Sequence, residues 1–337
     1  MMNVMICEAP ERLALIRRPI PVRTGDEVLL RVRRVGICGT DMHIVRGTQP
    51  FLSYPRVMGH ELSAEVLETP TGSALKKGDA VYVMPYLSCG QCAPCRVDKG
   101  NCCKNIQVLG VHRDGALAEY LTVPEKFVRS AEGISFDDAA MIEFLAIGAH
   151  AVRRANPVRD RRVLVVGAGP IGMATALFAG MDGGQVSVLD TREDRLQFCA
   201  KHLGTQHALL VSADTPAQLA QITNGDLFDV VFDATGNPGA MEAGFDYVAH
   251  GGVYVLVSIV SARISFSDPD FHRREMTLMG SRNATLSDFD RVLKAIQAGK
   301  VPTRALNTHR TRLDQVAQVL PTWMLPTAGV IKGIVEC

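Results

Sequence analysis

Apolar positions in the first third of the chain come in short runs, cut by Gly, Pro and polar turns. Val28–Val35, Ala80–Pro85 and Leu117–Val123 are such runs. They predict β-strands joined by long loops over residues 1 to about 125. Residues 137–153, DDAAMIEFLAIGAHAVR, predict a helix whose acidic start suits the positive end of a helix dipole. After RRANPVRDRR, near residue 155, the pattern changes to strand–helix alternation. Strands are expected at Val163–Val166, Gln185–Leu189, Phe228–Asp233 and Gly252–Ser258, with helical segments between them. That alternation predicts a parallel sheet covered by helices on both faces. The last stretch predicts helices near Ser287–Ala298 and Leu313–Leu320 and a strand near Gly329–Val335. The chain reads as an α/β protein of two domains.

One segment admits a competing reading. Val163–Met181 runs 19 residues without a charge, long enough for a membrane span. It carries Gly167, Gly169, Pro170, Gly172 and Gly180, and begins with four β-type residues. A strand, a glycine turn and a helix account for it better. The net charge of +1, with Lys and Arg spread along 337 residues, gives no footprint for nucleic acid or an anionic membrane. The start, MMNVMICEAPERL, lacks the basic and apolar regions of a signal peptide. Nine cysteines, an odd number, argue against a secreted disulfide framework. A cytoplasmic setting is expected.

The chemistry concentrates in three places. Cys89-Gly-Gln-Cys92-Ala-Pro-Cys95, followed by Cys103, offers four thiolates that can meet at one tetrahedral cation, for which zinc is the usual occupant. A closed four-sulfur site leaves no open position, so this zinc would staple a loop. Cys102 could replace Cys103 on spacing alone. A second set, Cys38, His60 and Glu61, offers one thiolate, one imidazole and one carboxylate, which suit an open zinc site. The third place is Val163-Leu-Val-Val-Gly167-Ala-Gly169-Pro170-Ile171-Gly172, a strand running into G-x-G-x-x-G. Such a turn lets a pyrophosphate approach the backbone at a helix N-terminus. Asp190, 18 residues beyond Gly172, ends the next strand near the distance of about 20 expected for an acid on the adenosine ribose. A carboxylate there bonds the ribose diol and repels a 2′-phosphate, which predicts NAD. Arg192 and Arg195 follow closely and keep NADP in view.

Together, G-I-C-G-T-D-M-H, G-H-E, the four-cysteine loop and V-G-A-G-P-I-G resemble the zinc-dependent medium-chain alcohol and polyol dehydrogenase family over essentially the whole chain. The resemblance implies a GroES-like, mostly β catalytic domain at 1–150, a Rossmann NAD-binding domain at 151–285, and a return to the catalytic domain at 286–337. It implies two zinc ions per chain and NAD. Cys38, His60 and Glu143, from Met141-Ile142-Glu143, would hold the catalytic zinc, with Glu61 as ligand or close partner. It selects Cys103 as the fourth structural ligand. Thr40 and His43 match the family's proton relay. Gly167, Gly169, Pro170, Ile171, Gly172, Asp190 and Arg195 would bind the cofactor. Ala64 stands where the family's G-H-E-x-x-G carries its second glycine, so the loop there is expected to differ.

Within the family the chain is similar to the sorbitol and polyol branch, and in particular to bacterial L-galactonate 5-dehydrogenases and their sugar-acid relatives. Phe51–Glu61, Leu109–Gly115, Phe266–His272 and Gly280–Asn283 carry that similarity. The implied reaction is hydride transfer from a secondary hydroxyl of a sugar acid to NAD. A sugar-acid carboxylate needs a cation, and Arg282, Arg113, Arg46 and His112 are the candidates. The alternatives are a polyol dehydrogenase and a non-catalytic NAD-binding sensor. The expected partners are a small sugar acid or polyol and copies of the chain itself in a homodimer or homotetramer.

Overall fold

The computed structural model describes residues 1–155 and 157–337. It divides into two compact units, Met1–Glu143 with Thr285–Cys337, and Phe144–Ala284. The sequence boundaries at 150/151 and 285/286 fall close to these. The first division lies inside the Ile142–Ala155 helix, so that helix's opening turn goes with the β-rich unit.

The first unit is built on a seven-stranded sheet. Its order is Val128–Ser130, Ala80–Val83, Glu61–Glu68, Glu27–Ile37, Lys332–Glu336 and Asn307–Arg312, with Tyr120–Pro124 also pairing Glu27–Ile37. The long Glu27–Ile37 strand is central. Gly36 pairs with Glu61 on one side, and Ile37 pairs with Gly333 on the other. This register carries three distant segments to one place: the strand end before Cys38, the strand start at Glu61, and Lys332. Below them Val35, Met58, Leu62, Leu117 and Val335 are buried in one cluster. Each such side chain contributes about 1.5–3 kcal/mol by leaving water.

The second unit holds a six-stranded parallel sheet in the order His207–Leu210, Gln185–Asp190, Arg162–Val166, Phe228–Asp233, Val248–Leu256, Thr277–Gly280. This is the doubly wound order with the switch point beside Arg162–Val166. Ligands of such sheets bind at the carboxyl ends of the strands beside that point. The Pro170–Met181 helix starts right after Gly169, with Pro at its first position, where a missing N–H costs nothing. The uncharged Val163–Met181 run is thus a strand, a turn and a 12-residue helix. No helix among the described residues is long and apolar enough to cross a membrane.

Some expected elements differ. The helix over 137–153 is two helices, Phe136–Ala139 and Ile142–Ala155. Ser63 Oγ donates to Phe136 O at 2.7 Å, at the start of the first of them. The helix expected at Leu313–Leu320 begins later, at Val316, after a 3-10 turn. The final strand begins at Lys332, because Gly329, at φ +68°, ends a 3-10 turn in the left-handed region. Ala64 lies buried inside the Glu61–Glu68 strand, so the expected change of loop shape does not occur there. The pattern missed the Met2–Ala9/Arg12–Arg18 hairpin and the Asn307–Arg312 strand.

Candidate metal centres and dinucleotide site

The four-cysteine loop closes on itself through two 3-10 turns, Cys95–Val97 and Gly100–Cys102. Cys89, Cys92, Cys95 and Cys103 place their sulfurs within 4.8 Å of one another. Cys103 is buried at 2% exposure, whereas Cys102 is exposed, so the backbone sends Cys103 into the cluster. Backbone hydrogen bonds from Gln91 and Cys92 hold the Cys89 thiol down at about 6. Cys95 is pushed up to about 12, first by burial and then by its hydrogen bond with Cys92. Four sulfurs this close, with thiols such as Cys95 that a tetrahedral cation would deprotonate, suit zinc.

The second centre is assembled by the sheet register. Cys38 caps the Gly39–Val45 helix: its sulfur accepts from Thr40 N at 3.2 Å. The cap is reciprocal, because the Asp41 carboxylate accepts from Cys38 N at 3.0 Å. Asp41 also accepts from Gly59 N at 3.1 Å, which ties the helix to the residue before His60. Cys38 Sγ and His60 Nε2 then lie 3.1 Å apart. Burial pushes the Cys38 thiol up. Burial, the largest single influence, works against charge on His60, but Cys38, Asp41 and Glu143 together outweigh it and hold His60 well above its ordinary value. The two groups share a proton in a buried place, which a divalent cation relieves by replacing it. His60 Nδ1 makes no hydrogen bond and faces Asp41 at 4.0 Å, the arrangement of a metal-ligating histidine with a carboxylate behind it.

Two carboxylates complete the donor set. His60, Glu61 and Glu143 have ligand atoms within 4.8 Å, as do Cys38, Asp41 and His60. Glu143 is buried, and burial raises its pKa to about 7, against the pull of His60. Tyr86 OH donates to Glu143 Oε1 and fixes its rotamer. Glu61 is held differently. Lys332 Nζ donates to both its oxygens, at 2.7 and 2.6 Å, and to Ile37 O at 3.3 Å. Both side chains are 1% exposed. Gly36 has to be glycine here, because a Cβ would strike the Glu61 carboxylate. One thiolate, one imidazole and one carboxylate oriented by Tyr86, with a second carboxylate held back by a lysine, fit an open zinc site. Sequence reasoning missed Lys332, Tyr86 and Asp41. Two had a signal: a lone Lys inside the apolar VIKGIVEC run needs a buried acid, and Asp41 three residues after Cys38 has capping-box spacing.

The relay candidates sit on the same helix, three residues apart and hence on one face. His43 Nδ1 lies 2.9 Å from Thr48 Oγ1. The substrate candidates do not come together within one unit. His112 and Arg113 lie in the 109–117 loop, whose backbone bonds run along Val57, Met58 and Gly59, beside His60. His112 Nδ1 accepts from Val108 N at 3.1 Å, and Arg113 is exposed. Arg46 donates to Met324 O at 3.2 Å. Arg282 is exposed in the second unit, just past the Thr277–Gly280 edge strand.

In the second unit a cavity of about 570 Å³ opens over the glycine turn, lined by Gly167, Asp190, Arg192, Arg195, Thr235 and Tyr247 among others. Gly172 has no room for a Cβ, which would strike Gly167 O, and this is what lets the helix start so close to the strand. Pro170 and Ile171 form the first turn of that helix. The Asp190 carboxylate accepts from Ala168 N at 2.5 Å and from Arg192 N at 2.8 Å, which aims it along the turn. Arg192 is engaged by Asp194 through two hydrogen bonds, 3.0 and 2.5 Å. Arg195 is 8% exposed. This cradle has the shape and donors for the adenosine and pyrophosphate of a dinucleotide.

Known proteins resemble this chain from end to end. Residues 24–132 match the family of the alcohol dehydrogenase GroES-like domain, and residues 170–298 match the zinc-binding dehydrogenase family. L-galactonate-5-dehydrogenase of Escherichia coli K12 is 43% identical over 335 residues, 99% of this chain and 98% of that protein. Sorbitol dehydrogenase of Bacillus subtilis is 30% identical, over 90% of this chain and 88% of that protein. Among solved structures, the short chain alcohol dehydrogenase rspB of E. coli CFT073, complexed with NADH, superposes with a TM-score of 0.92. It shares 30% identity and covers 100% of this chain and 99% of its own. With two family models matched and a relative 43% identical from end to end, the chain belongs to the zinc-binding alcohol dehydrogenases, nicotinamide-dependent oxidoreductases.

Proposed function

We propose that this enzyme oxidises a secondary hydroxyl, at C5, of a hexonate of the L-galactonate or L-gulonate type, with NAD as hydride acceptor. The observation that carries the substrate class is the 43% identity to L-galactonate-5-dehydrogenase over 99% of the chain. The identity to sorbitol dehydrogenase, 30% over 90% of the chain, supports a second reading, a neutral polyol.

Cys38, His60 and Glu143 would hold the catalytic zinc, and Cys89, Cys92, Cys95 and Cys103 the structural one. The catalytic zinc, when bound, supplies a Lewis acid that lowers the pKa of the substrate hydroxyl. Lys332 keeps Glu61 off the donor set by pairing both its oxygens. Thr40 Oγ1 would accept the substrate hydroxyl proton, and His43, the last group of the relay, would release it to solvent. The glycine turn, with Pro170 and Ile171, orients the pyrophosphate. Asp190 keeps lone pairs for the ribose diol and repels a 2′-phosphate, while Asp194 occupies the arginine that would welcome one. Arg195 packs under this corner. Arg282, His112 and Arg113 are the groups assigned to the substrate carboxylate. The proposal places the enzyme in the cytoplasm, in line with nine free cysteines, as a homodimer or homotetramer.

The product tests this reading. Carbon-13 NMR of L-galactonate turned over with NAD should show a new ketone at C5. A carbonyl at any other carbon, or no turnover of any hexonate alongside good turnover of hexitols, overturns it.

A further inference from the structure

Past the Gly39–Val45 helix the chain turns back on itself. Gly47, at φ +74°, sends its N–H to Ile44 O at 3.0 Å, and Thr48 N–H donates to His43 O at 2.9 Å. Those two backbone bonds already hold the turn. The Thr48 hydroxyl is therefore spare, yet it lies against the His43 ring, 2.9 Å from Nδ1. The same oxygen is 3.4 Å from His43 O.

A carbonyl only accepts. A hydroxyl that bonds both groups must give its single hydrogen to His43 O and take one from the ring. Nδ1 then carries the ring hydrogen, and Nε2 is left with the lone pair. A free histidine side chain prefers the opposite tautomer, with hydrogen on Nε2. We infer that Thr48 is a positioning residue for the reaction, which fixes His43 as the Nδ1–H tautomer so that Nε2 is the atom that receives the relay proton. This rests on the reading of His43 as the last member of the relay. It gives a neighbouring hydroxyl the role that a carbonyl or carboxylate plays for other catalytic histidines.

The test uses zinc-loaded protein labelled with nitrogen-15 histidine and free of cofactor. Long-range proton–nitrogen spectra are recorded where the ring is neutral, and His43 is assigned from its missing signals in His43→Gln. The wild type should show hydrogen on Nδ1 of His43. Thr48→Val should move it to Nε2, and Thr48→Ser should keep it on Nδ1. In turnover, Thr48→Val should lose about tenfold in kcat with KM values within about twofold. That is a fraction of the roughly 10²–10⁴ that acid–base catalysis contributes, because an exposed ring still samples the useful tautomer. Thr48→Ser should restore kcat to within about twofold of wild type. Thr48→Ala replaces the valine variant if the latter loses zinc or folded circular dichroism. Hydrogen on Nε2 in the wild type, or a ring unchanged by Thr48→Val, overturns the inference whatever the rates. If the tautomer moves as expected but His43→Gln keeps full kcat, the relay reading fails instead, and with it the part of the inference that concerns catalysis.

Discussion

Replacing Lys332 with Met keeps the length of the side chain and removes its charge. The ammonium it removes is 1% exposed and holds Glu61 through bonds of 2.7 and 2.6 Å. Glu61 is itself fully buried, so Lys332→Met leaves a carboxylate with neither water nor a partner cation. Removing one member of a buried ion pair costs about 3–5 kcal/mol. Against a total of roughly 5–15 kcal/mol for a native protein, the variant should still fold but with a much smaller margin. For a unit of roughly 200 residues, 1 kcal/mol moves Tm by about 2–4 °C, so a fall of about 6–20 °C is expected. Thermal unfolding of zinc-stripped protein by circular dichroism, with no metal beside Glu61 to replace the lysine, measures it. The double variant Lys332→Met/Glu61→Gln leaves no uncompensated charge and should recover more than half of the loss. A fall of less than about 2 °C in the single variant, or a double variant no better than the single, would refute the claim that the pair is a buried charge balance.

Other predictions follow from the two metal centres and the cofactor cradle. Cys92→Ser should lower bound zinc from two ions to one per chain in elemental analysis, and lower Tm, because metal binding to such a loop is folding free energy. Asp190→Ala should erode an NAD over NADP preference of at least about tenfold in kcat/KM, or about 1.4 kcal/mol; a wild type that runs equally on both cofactors assigns the choice to Arg192 or Arg195 instead. In zinc-stripped protein the buried Glu143 has its pKa raised from 4.5 to about 7. A folded pKa above the unfolded one means that its contribution is full below about pH 4.5 and is lost as pH rises to about 7. Urea unfolding of stripped protein across that window should show the decline, and Glu143→Gln should flatten it. An unchanged slope in the glutamine variant removes Glu143 as its source.

The parts of the site readable from sequence are those whose chemistry repeats over a short span. The four cysteines lie within 15 residues, and the glycine turn within six, so spacing alone constrains what they can do. The doubly wound sheet was legible for a similar reason, since four of its strands are apolar, Val-rich runs between turns, whereas His207–Leu210 and Thr277–Gly280 carry no such run and were missed. What stayed hidden depends on long-range register. Lys332 and Glu61 are 271 residues apart and meet because two strands flank Glu27–Ile37. Tyr86 reaches Glu143 across 57 residues. The break between Phe136–Ala139 and Ile142–Ala155 is not signalled by any Gly or Pro between them. The substrate carboxylate partner stays a proposal for the same reason, because exposed arginines carry no local pattern that separates a ligand from an ordinary surface charge.

The central claim is NAD-dependent oxidation of a sugar acid, and the most direct test compares L-galactonate with galactitol, the neutral counterpart without a carboxylate. Initial rates of NADH appearance at 340 nm give kcat/KM for each with the same enzyme. A site that pairs a cation with the carboxylate leaves that cation unmatched when the carboxylate is missing, so the account predicts a preference for L-galactonate of at least about a hundredfold. Equal or better kcat/KM on galactitol would contradict the sugar-acid assignment and leave a zinc-dependent polyol dehydrogenase in its place.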